Sequence, residues 1–180
     1  MKTKIFYYVH GTTTDNASNL CSGWKEALLN ELGRKQAFNL GKVVREKKIS
    51  FDAVFTSDLK RAIVSSNIAF PEYEKIKDSR LRECNYGDLD GKEKKLVVYE
   101  EHINNPFPNG ESLMDVEKRM RSFLNEIKKN YSGKTIAIVA HRAPQLALEV
   151  ITKGISWEEA IESDWRKSGD WKPGWEYIIE

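Results

Sequence analysis

The sequence predicts an α/β protein, a three-layer sandwich with a mostly parallel central sheet and helices on both of its faces. Short apolar runs rich in β-branched and aromatic residues alternate with longer segments in which apolar residues recur at helical spacing. Two of the apolar runs end abruptly at a histidine, His10 and His141. A chain of 180 residues can bury one core of this kind, so we expect a single domain over residues 1–180.

The first strand and helix are predicted near the N-terminus. Residues 5–9 are apolar and β-prone, and the polar run 12–19 indicates a long loop after them. Asn30 is a suitable N-cap, and apolar residues at helical spacing predict a helix from there to about Lys47. These segments form the first strand and helix pair of the predicted fold.

A second pair follows in the same order. Residues 52–56 predict a short strand, and Ser57 with Asp58 is expected to cap a helix that runs toward Phe70. Residues 73–77 could form an edge strand. The polar stretch that comes next, from residue 80 to residue 90, is predicted to be a loop because glycines interrupt it.

The longest helix is predicted after Ser112, which forms a capping box with Asp115. Six apolar residues line one face of it over about four turns: Leu113, Val116, Met120, Phe123, Leu124 and Ile127. This spacing makes the segment the clearest helix prediction in the sequence.

The C-terminal third repeats the strand and helix pattern. Residues 135–140 form the most apolar strand candidate, and Pro144 lies in the first turn of a helix predicted to reach Ile151. A capping box over 156–159 predicts a further short helix, and residues 175–179 predict a last strand after a turn at 173–174. Five aromatic residues of this region are expected to pack in the core. The alternative is that they form a wall over a ligand pocket. They are Trp157, Trp165, Trp171, Trp175 and Tyr177.

Composition excludes several classes of function. The formal net charge of +2 is too small to indicate a nucleic-acid or anionic-membrane surface. No apolar run approaches the length of a membrane span, and the N-terminus does not resemble a signal peptide. The two cysteines, Cys21 and Cys84, are expected to be free thiols in a reducing compartment, which indicates a cytoplasmic protein.

The candidate functional residues lie where strands are predicted to end. His10 and His141 follow two strands, and Arg61 lies in the first turn of the helix that follows a third. Ligands of open α/β sheets bind beyond the carboxyl ends of the strands. Taken singly, each histidine could be a capping or core-edge residue and Arg61 a surface ion pair, but their joint placement favours a common site.

Six blocks along nearly the whole chain carry a family resemblance: Val9-His10-Gly11-Thr12 with Asn16, residues 29–37, Ser57-Asp58-Leu59-Lys60-Arg61-Ala62, Leu81-Arg82-Glu83 with Gly87 and Gly91-Lys92, Gly110-Glu111-Ser112, and Ile138-Val139-Ala140-His141. In this order they resemble the histidine phosphatase superfamily, which includes the phosphoglycerate mutases and many small phosphatases. The resemblance implies a phosphoglycerate mutase-like fold.

The resemblance also implies roles for four residues. His10 would be the nucleophile that forms a phosphohistidine, and family analogy alone selects it over His141. His141 and Arg61 would bind the equatorial oxygens of the transferred group. Glu83 would protonate the leaving alkoxide and then activate water, whereas its alternative role is a surface carboxylate paired with Arg82.

The sequence departs from the family pattern beside the first histidine. Val9 stands where the family has an arginine, and the loss of one charge-assisted contact to phosphate is worth about 1.5–3 kcal/mol. We hypothesise that Arg142 restores this positive charge or recognises an anionic part of the substrate. Asn16 and the backbone amide at Gly11 are expected to add contacts to the substrate. Thr12 stands where the mutases of the family usually have Glu.

The sequence is therefore interpreted as a phosphatase that hydrolyses a small phosphate monoester through a phosphohistidine on His10. Two alternatives stay open, a catalytically weak phosphate-binding pseudoenzyme and a phosphoglycerate mutase-type phosphotransferase. Thr12 and a chain shorter than the phosphoglycerate mutases favour the phosphatase. The expected partner is a small phosphorylated metabolite, without nucleic acid, membrane, metal or organic cofactor. An apolar edge near the last strand would allow a homodimer.

Overall fold

The computed structural model describes residues 1–167 and 174–180. Five strands of this part of the chain form one sheet: β1 (Thr3–Val9), β2 (Ala53–Thr56), β3 (Lys75–Lys77), β4 (Thr135–Ala140) and β5 (Gly174–Ile179). The α-helices described are α1 (Thr14–Ala17), α2 (Glu31–Glu46), α3 (Lys60–Ala69), α4 (Leu113–Asn130), α5 (Arg142–Lys153) and α6 (Trp157–Glu162).

The strand order is β3-β2-β4-β1-β5. β1 pairs in parallel with β4, and β2 pairs in parallel with both β3 and β4. Only the edge strand β5, among the strands described, runs antiparallel to its neighbour β1. The predicted α/β class with a mostly parallel sheet is confirmed, and the carboxyl ends of β1, β2 and β4 meet at one edge.

Both faces of the sheet are covered, because alternate residues of a strand point to opposite sides. In β1, Ile5 and Tyr7 belong to a buried cluster with residues of α4, α5 and α6. Phe6 and Tyr8 belong to the cluster on the other face, with residues of α2 and α3. The six apolar residues predicted to line α4 are at most 2% exposed. The expected three-layer sandwich is therefore confirmed.

Most predicted helix starts are confirmed by their caps. The Asn30 side chain accepts a hydrogen bond from the Gly33 amide at 2.8 Å, and α2 begins at the next residue. Capping boxes form at Ser112, which starts α4, and at Ser156, which starts α6. A carboxylate placed three residues after each serine returns the hydrogen bond and so fixes the first turn.

The predicted cap of α3 is wrong. The helix begins at Lys60, and neither Ser57 nor Asp58 caps it. Asp58 instead accepts two hydrogen bonds of 2.7 Å from the Arg82 guanidinium, which lies on a different loop. A bidentate, charge-assisted pair is stronger than a single cap, so the carboxylate faces Arg82 rather than the helix.

The segment 12–19, predicted as a loop, contains the single-turn helix α1. Thr13 Oγ1 accepts from the Asn16 amide at 3.0 Å, and Asn16 Oδ1 accepts from the Thr13 amide at 3.1 Å. Trp171 and the first residue of the predicted turn at 173–174 lie outside the described residues.

Two further expectations concern the chain as a whole. Cys21 and Cys84 are free thiols, as predicted, and both are buried. None of the helices described is long and apolar enough to cross a bilayer.

Candidate active site

The two histidines meet because β1 and β4 are neighbours in parallel register. Val9 pairs with Ala140, so the next residues, His10 and His141, leave the sheet side by side. The His10 amide donates to the Ala140 carbonyl at 3.1 Å. The two imidazole rings lie 5.1 Å apart, centroid to centroid.

His10 is held in one tautomer. Its Nδ1 lies 2.7 Å from the Gly11 carbonyl oxygen, which can only accept, so Nδ1 carries the proton and donates. Burial and the nearby Arg61 charge lower the pKa of His10 to about 3, against the opposing effect of this carbonyl. The imidazole is therefore neutral near pH 7, with an unprotonated Nε2 available as a nucleophile.

His141 is completely buried at the start of α5. The Tyr7 hydroxyl donates to the His141 carbonyl at 2.8 Å and accepts from its amide at 3.1 Å, which fixes the backbone. Neither ring nitrogen has a hydrogen-bond partner among the described residues. Burial, Arg61 and His10 hold the pKa of His141 well below its usual value. The neutral ring therefore has one N–H without an acceptor among the described residues, and it lies beside His10.

Arg61 lies in the first turn of α3 and is 2% exposed. It donates to the Gly23 carbonyl at 2.6 Å and to the Lys25 carbonyl at 3.0 Å. These bonds fix the guanidinium in the wall of the cavity that His10 also lines, and its charge lowers the pKa values of both histidines.

Glu83 reaches the same place from the loop after β3. Its carboxylate accepts three backbone hydrogen bonds, from Cys84, Arg142 and Ala143, at 2.8–3.1 Å. Two of these amides form the N-terminus of α5, where a negative charge is stabilised. The alternative pairing with Arg82 is not formed, because Arg82 binds Asp58.

His10, Arg61 and Glu83 line a cavity of about 360 Å³, whereas the fully buried His141 is not among its described lining residues. Its described lining includes His10, Thr12, Asn16, Glu83 and Arg142 together with Arg61, Lys94 and Arg166. Four cationic side chains thus face one carboxylate, a balance that favours an anionic ligand.

Two predicted contacts have other partners. The Gly11 amide donates to Ser65 Oγ at 3.0 Å, and Gly11 is not among the lining residues described. A Cβ at Gly11 would lie 2.2 Å from the Gly33 carbonyl oxygen, so this glycine allows the loop after β1 to pass close to α2. Asn16 does line the cavity, although its Oδ1 is bonded within α1.

Arg142 lines the cavity, but its charge is already paired. Nε donates to the buried carboxylate of Asp164 at 2.7 Å, and the guanidinium lies 4.3 Å from the centroid of the Tyr99 ring. The hypothesis that Arg142 replaces the missing arginine stays a prediction. Arg166 also lines this cavity.

Sequence reasoning missed two arginines of this region. Arg166 lines the cavity from the turn after α6, and nothing in the local sequence distinguishes it from a surface residue. Arg119 of α4 donates to the Glu83 carbonyl at 2.9 Å and pairs with Glu111 at 3.0 Å, so it positions the acidic loop. Glu111 belongs to one of the six blocks that carry the family resemblance. That block was the sequence signal that could have pointed to the pair of Arg119 and Glu111.

The aromatic residues divide between the two expected roles. Trp157, Trp175 and Tyr177 are buried in the core, as predicted, whereas Trp165 lines the cavity and forms part of its wall.

Comparison with known proteins decides the family. The sequence model of the histidine phosphatase superfamily (branch 1) matches residues 7–168, most of the chain. The chain belongs to this superfamily. The four predicted catalytic residues of this histidine phosphatase superfamily member, His10, Arg61, Glu83 and His141, all lie within the matched range. His10, Arg61 and Glu83 line the cavity, and the His141 ring lies beside that of His10.

Among curated relatives, the 2,3-bisphosphoglycerate-dependent phosphoglycerate mutase of Bartonella bacilliformis is 32% identical, covering 89% of this chain and 86% of its own. The corresponding enzyme of Chelativorans sp. (strain BNC1) is 30% identical, covering 86% and 84%. Because these alignments cover most of both chains, chain length does not separate mutases from phosphatases here.

Solved structures share the fold. Bacillus stearothermophilus YhfR superposes with a TM-score of 0.82 at 26% identity, covering 99% of this chain and 91% of its own. A mycobacterial glucosyl-3-phosphoglycerate phosphatase gives a TM-score of 0.79 at 23% identity, covering 87% and 85%. At this level of identity the second likeness concerns the fold alone.

Proposed function

We propose that this protein is a phosphatase that hydrolyses a small phosphate monoester through a phosphohistidine on His10. The observation that carries the proposal is the neutral His10, with Nδ1 bonded to Gly11 and Nε2 unprotonated, in a cavity whose described lining has an excess of cations. In-line attack at phosphorus requires an aligned nucleophile and stabilisation of the charged oxygens.

In the first step, the Nε2 lone pair of His10 forms a bond to phosphorus and the bond to the ester oxygen breaks. Glu83, in its protonated form, gives its proton to the departing alkoxide, which leaves as an alcohol. Arg61 and His141 donate hydrogen bonds to the equatorial phosphoryl oxygens, where negative charge is concentrated.

In the second step, the Glu83 carboxylate takes a proton from water while the water oxygen attacks phosphorus. The N–P bond breaks, its electron pair returns to His10 Nε2, and inorganic phosphate is released. Oε2 of Glu83 accepts only one of the three described amide hydrogen bonds, from Arg142, so it retains lone-pair capacity for this proton.

A mutase is the second candidate, favoured by the names of the curated relatives. It would return the phosphoryl group to an organic acceptor instead of water. Thr12 supports the hydrolase, because the family's mutases usually have Glu at that position. Here both the amide and the hydroxyl of Thr12 donate to Gln36, at 2.9 and 3.0 Å.

The test is product analysis with a panel of phosphate monoesters and with 2- and 3-phosphoglycerate, in the wild type and in His10→Ala. The proposal predicts release of inorganic phosphate that is lost in His10→Ala and kept in His102→Ala, the matched histidine variant outside the cavity lining. Isomerised ester without phosphate release would indicate the mutase. Phosphate-ester binding without turnover would indicate the pseudoenzyme.

A further inference from the structure

The turn after α6 fixes one arginine against the cavity. Asp164 is buried at 4% exposure and binds two guanidinium groups, that of Arg142 at 2.7 Å and Nη1 of Arg166 at 2.8 Å. The Arg166 backbone amide also donates to Asp164, at 3.1 Å. This carboxylate therefore connects the one-turn 3-10 helix Trp165–Lys167 to the start of α5. His141 and the amides that bind Glu83 lie there.

A buried side-chain nitrogen without a hydrogen-bond partner distinguishes Arg166 from Arg142 in the described part of the chain. Arg142 is fixed by its Nε bond to Asp164 and by the Tyr99 ring. In Arg166, Nη1 carries the bonds to Asp164 and Gln145, whereas Nη2 is buried without a hydrogen-bond partner within residues 1–167 and 174–180. A buried guanidinium N–H without a partner is costly unless a ligand accepts it.

The surroundings keep this group in place. The Arg166 guanidinium lies 4.9 Å from the centroid of the Trp165 ring and 5.5 Å from that of Trp175, and its side chain is 19% exposed. Packing against two aromatic faces and one carboxylate limits its rotamers, so little entropy would be lost when it binds an anion.

We propose that Arg166 is a second arginine of the phosphoryl-binding site and, together with Arg61, binds the oxygens of the group transferred to His10. This inference rests on the proposed function. Arg166 and His10 line the same cavity, as does Val9, the residue beside the nucleophile that offers no charge. The Arg166 charge also contributes to the lowered pKa of His10, after the larger effects of burial and Arg61, which agrees with this proximity.

The test compares Arg166→Met with Lys167→Met, which removes an exposed charge from the same turn. The measurements are kcat/KM for a phosphate ester and the dissociation constant of orthovanadate. Loss of a charge-assisted contact predicts that Arg166→Met lowers kcat/KM and weakens vanadate binding about 10- to 100-fold, with little change in Lys167→Met. Arg166→Lys keeps a charge beside Asp164 and so serves if Arg166→Met unfolds. We expect it to lose about three- to tenfold, because an ammonium cannot bind two oxygens with a planar fork.

A double-mutant cycle with Val9→Arg tests whether the two positions serve one anion. We expect Val9→Arg to raise activity and vanadate affinity markedly in the Arg166→Met background and much less in the wild type. Equal effects in both backgrounds, or an Arg166→Met variant that matches Lys167→Met, would overturn the inference while leaving the proposed function intact. A wild type that neither hydrolyses esters nor binds vanadate would overturn both.

Discussion

The ring of His141 lies 5.1 Å from that of His10 and is inclined to it by 58°, with no hydrogen bond between them among the described contacts. Both rings are neutral, since burial and Arg61 lower the pKa of each. Two neutral imidazoles beside one buried guanidinium form a site in which one ring can attack phosphorus and the other can donate a hydrogen bond.

The first prediction concerns the pH dependence of stability. In the unfolded chain, each of these histidines takes up a proton as the pH falls through about 6.5, whereas in the folded protein they stay neutral to a lower pH, about 3 for His10. The unfolded state then binds more protons, so the free energy of unfolding decreases below pH 6.5. Each histidine contributes a slope of about 1.4 kcal/mol per pH unit, which urea unfolding at pH 7, 6 and 5 in phosphate-free buffer measures.

The matched variants are His10→Asn and His141→Asn. Each should remove about half of the combined pH slope that the two histidines contribute to the free energy of unfolding. An unchanged slope in both variants would show that other groups cause the acid destabilisation.

The second prediction is that Glu83→Gln affects esters according to their leaving group. An alkyl alkoxide needs a proton to depart, so kcat/KM for an alkyl phosphate should fall about 10²- to 10⁴-fold. Nitrophenolate leaves without a proton, so the first turnover of nitrophenyl phosphate should be much less affected. Stopped-flow kinetics on both esters checks this. Equal losses for the two esters would contradict the assignment of Glu83 as the acid.

The third prediction concerns Gly11. A Cβ there would lie 2.2 Å from the Gly33 carbonyl oxygen and 2.8 Å from Gly33 Cα, which are backbone atoms that cannot move aside. Gly11→Ala should destabilise the protein by about 3 kcal/mol and displace His10. The control is Gly154→Ala, where a Cβ meets nothing within 4 Å and only the φ of 69° is unfavourable, at about 1 kcal/mol. Chemical unfolding measures both, and equal losses would contradict the close packing.

The fourth prediction concerns the thiols. Burial raises the pKa of Cys84, and Glu83 and Glu111 raise it further. Burial also raises the pKa of Cys21, against the effect of the Lys92 carbonyl. Since the thiolate is the reactive form, both cysteines should react with a disulfide reagent only slowly in the native protein and rapidly in denaturant. Fast labelling of one thiol under native conditions would show that its segment opens.

The sequence predicted the fold and the meeting of the histidines for the same reason. Apolar strands of period two and helices with capping residues are local patterns, and the carboxyl ends of parallel strands necessarily share an edge. This rule places His10 and His141 at the same edge of the sheet from the sequence alone.

The position of Arg166 could not be predicted in the same way. It depends on Asp164, whose carboxylate is shared with Arg142 at the start of another helix, and such long-range ion pairs leave no periodic signal. The wrong cap of α3 has a similar cause, because Asp58 binds Arg82 from a distant loop. Local propensity failed in both places because a charged partner far along the chain was the stronger interaction.

The most direct test of the phosphohistidine is to trap it in Glu83→Gln. With nitrophenyl phosphate, formation of the intermediate does not need the acid, but its hydrolysis needs the base, so the phosphoryl enzyme should accumulate. The sample is quenched at alkaline pH and mapped by peptide mass spectrometry, with the Glu83→Gln, His10→Ala double variant as control. The account predicts one phosphoryl group on the peptide that contains His10, and none in the control. A phosphoryl group on His141, or steady phosphate release in the control, would contradict it.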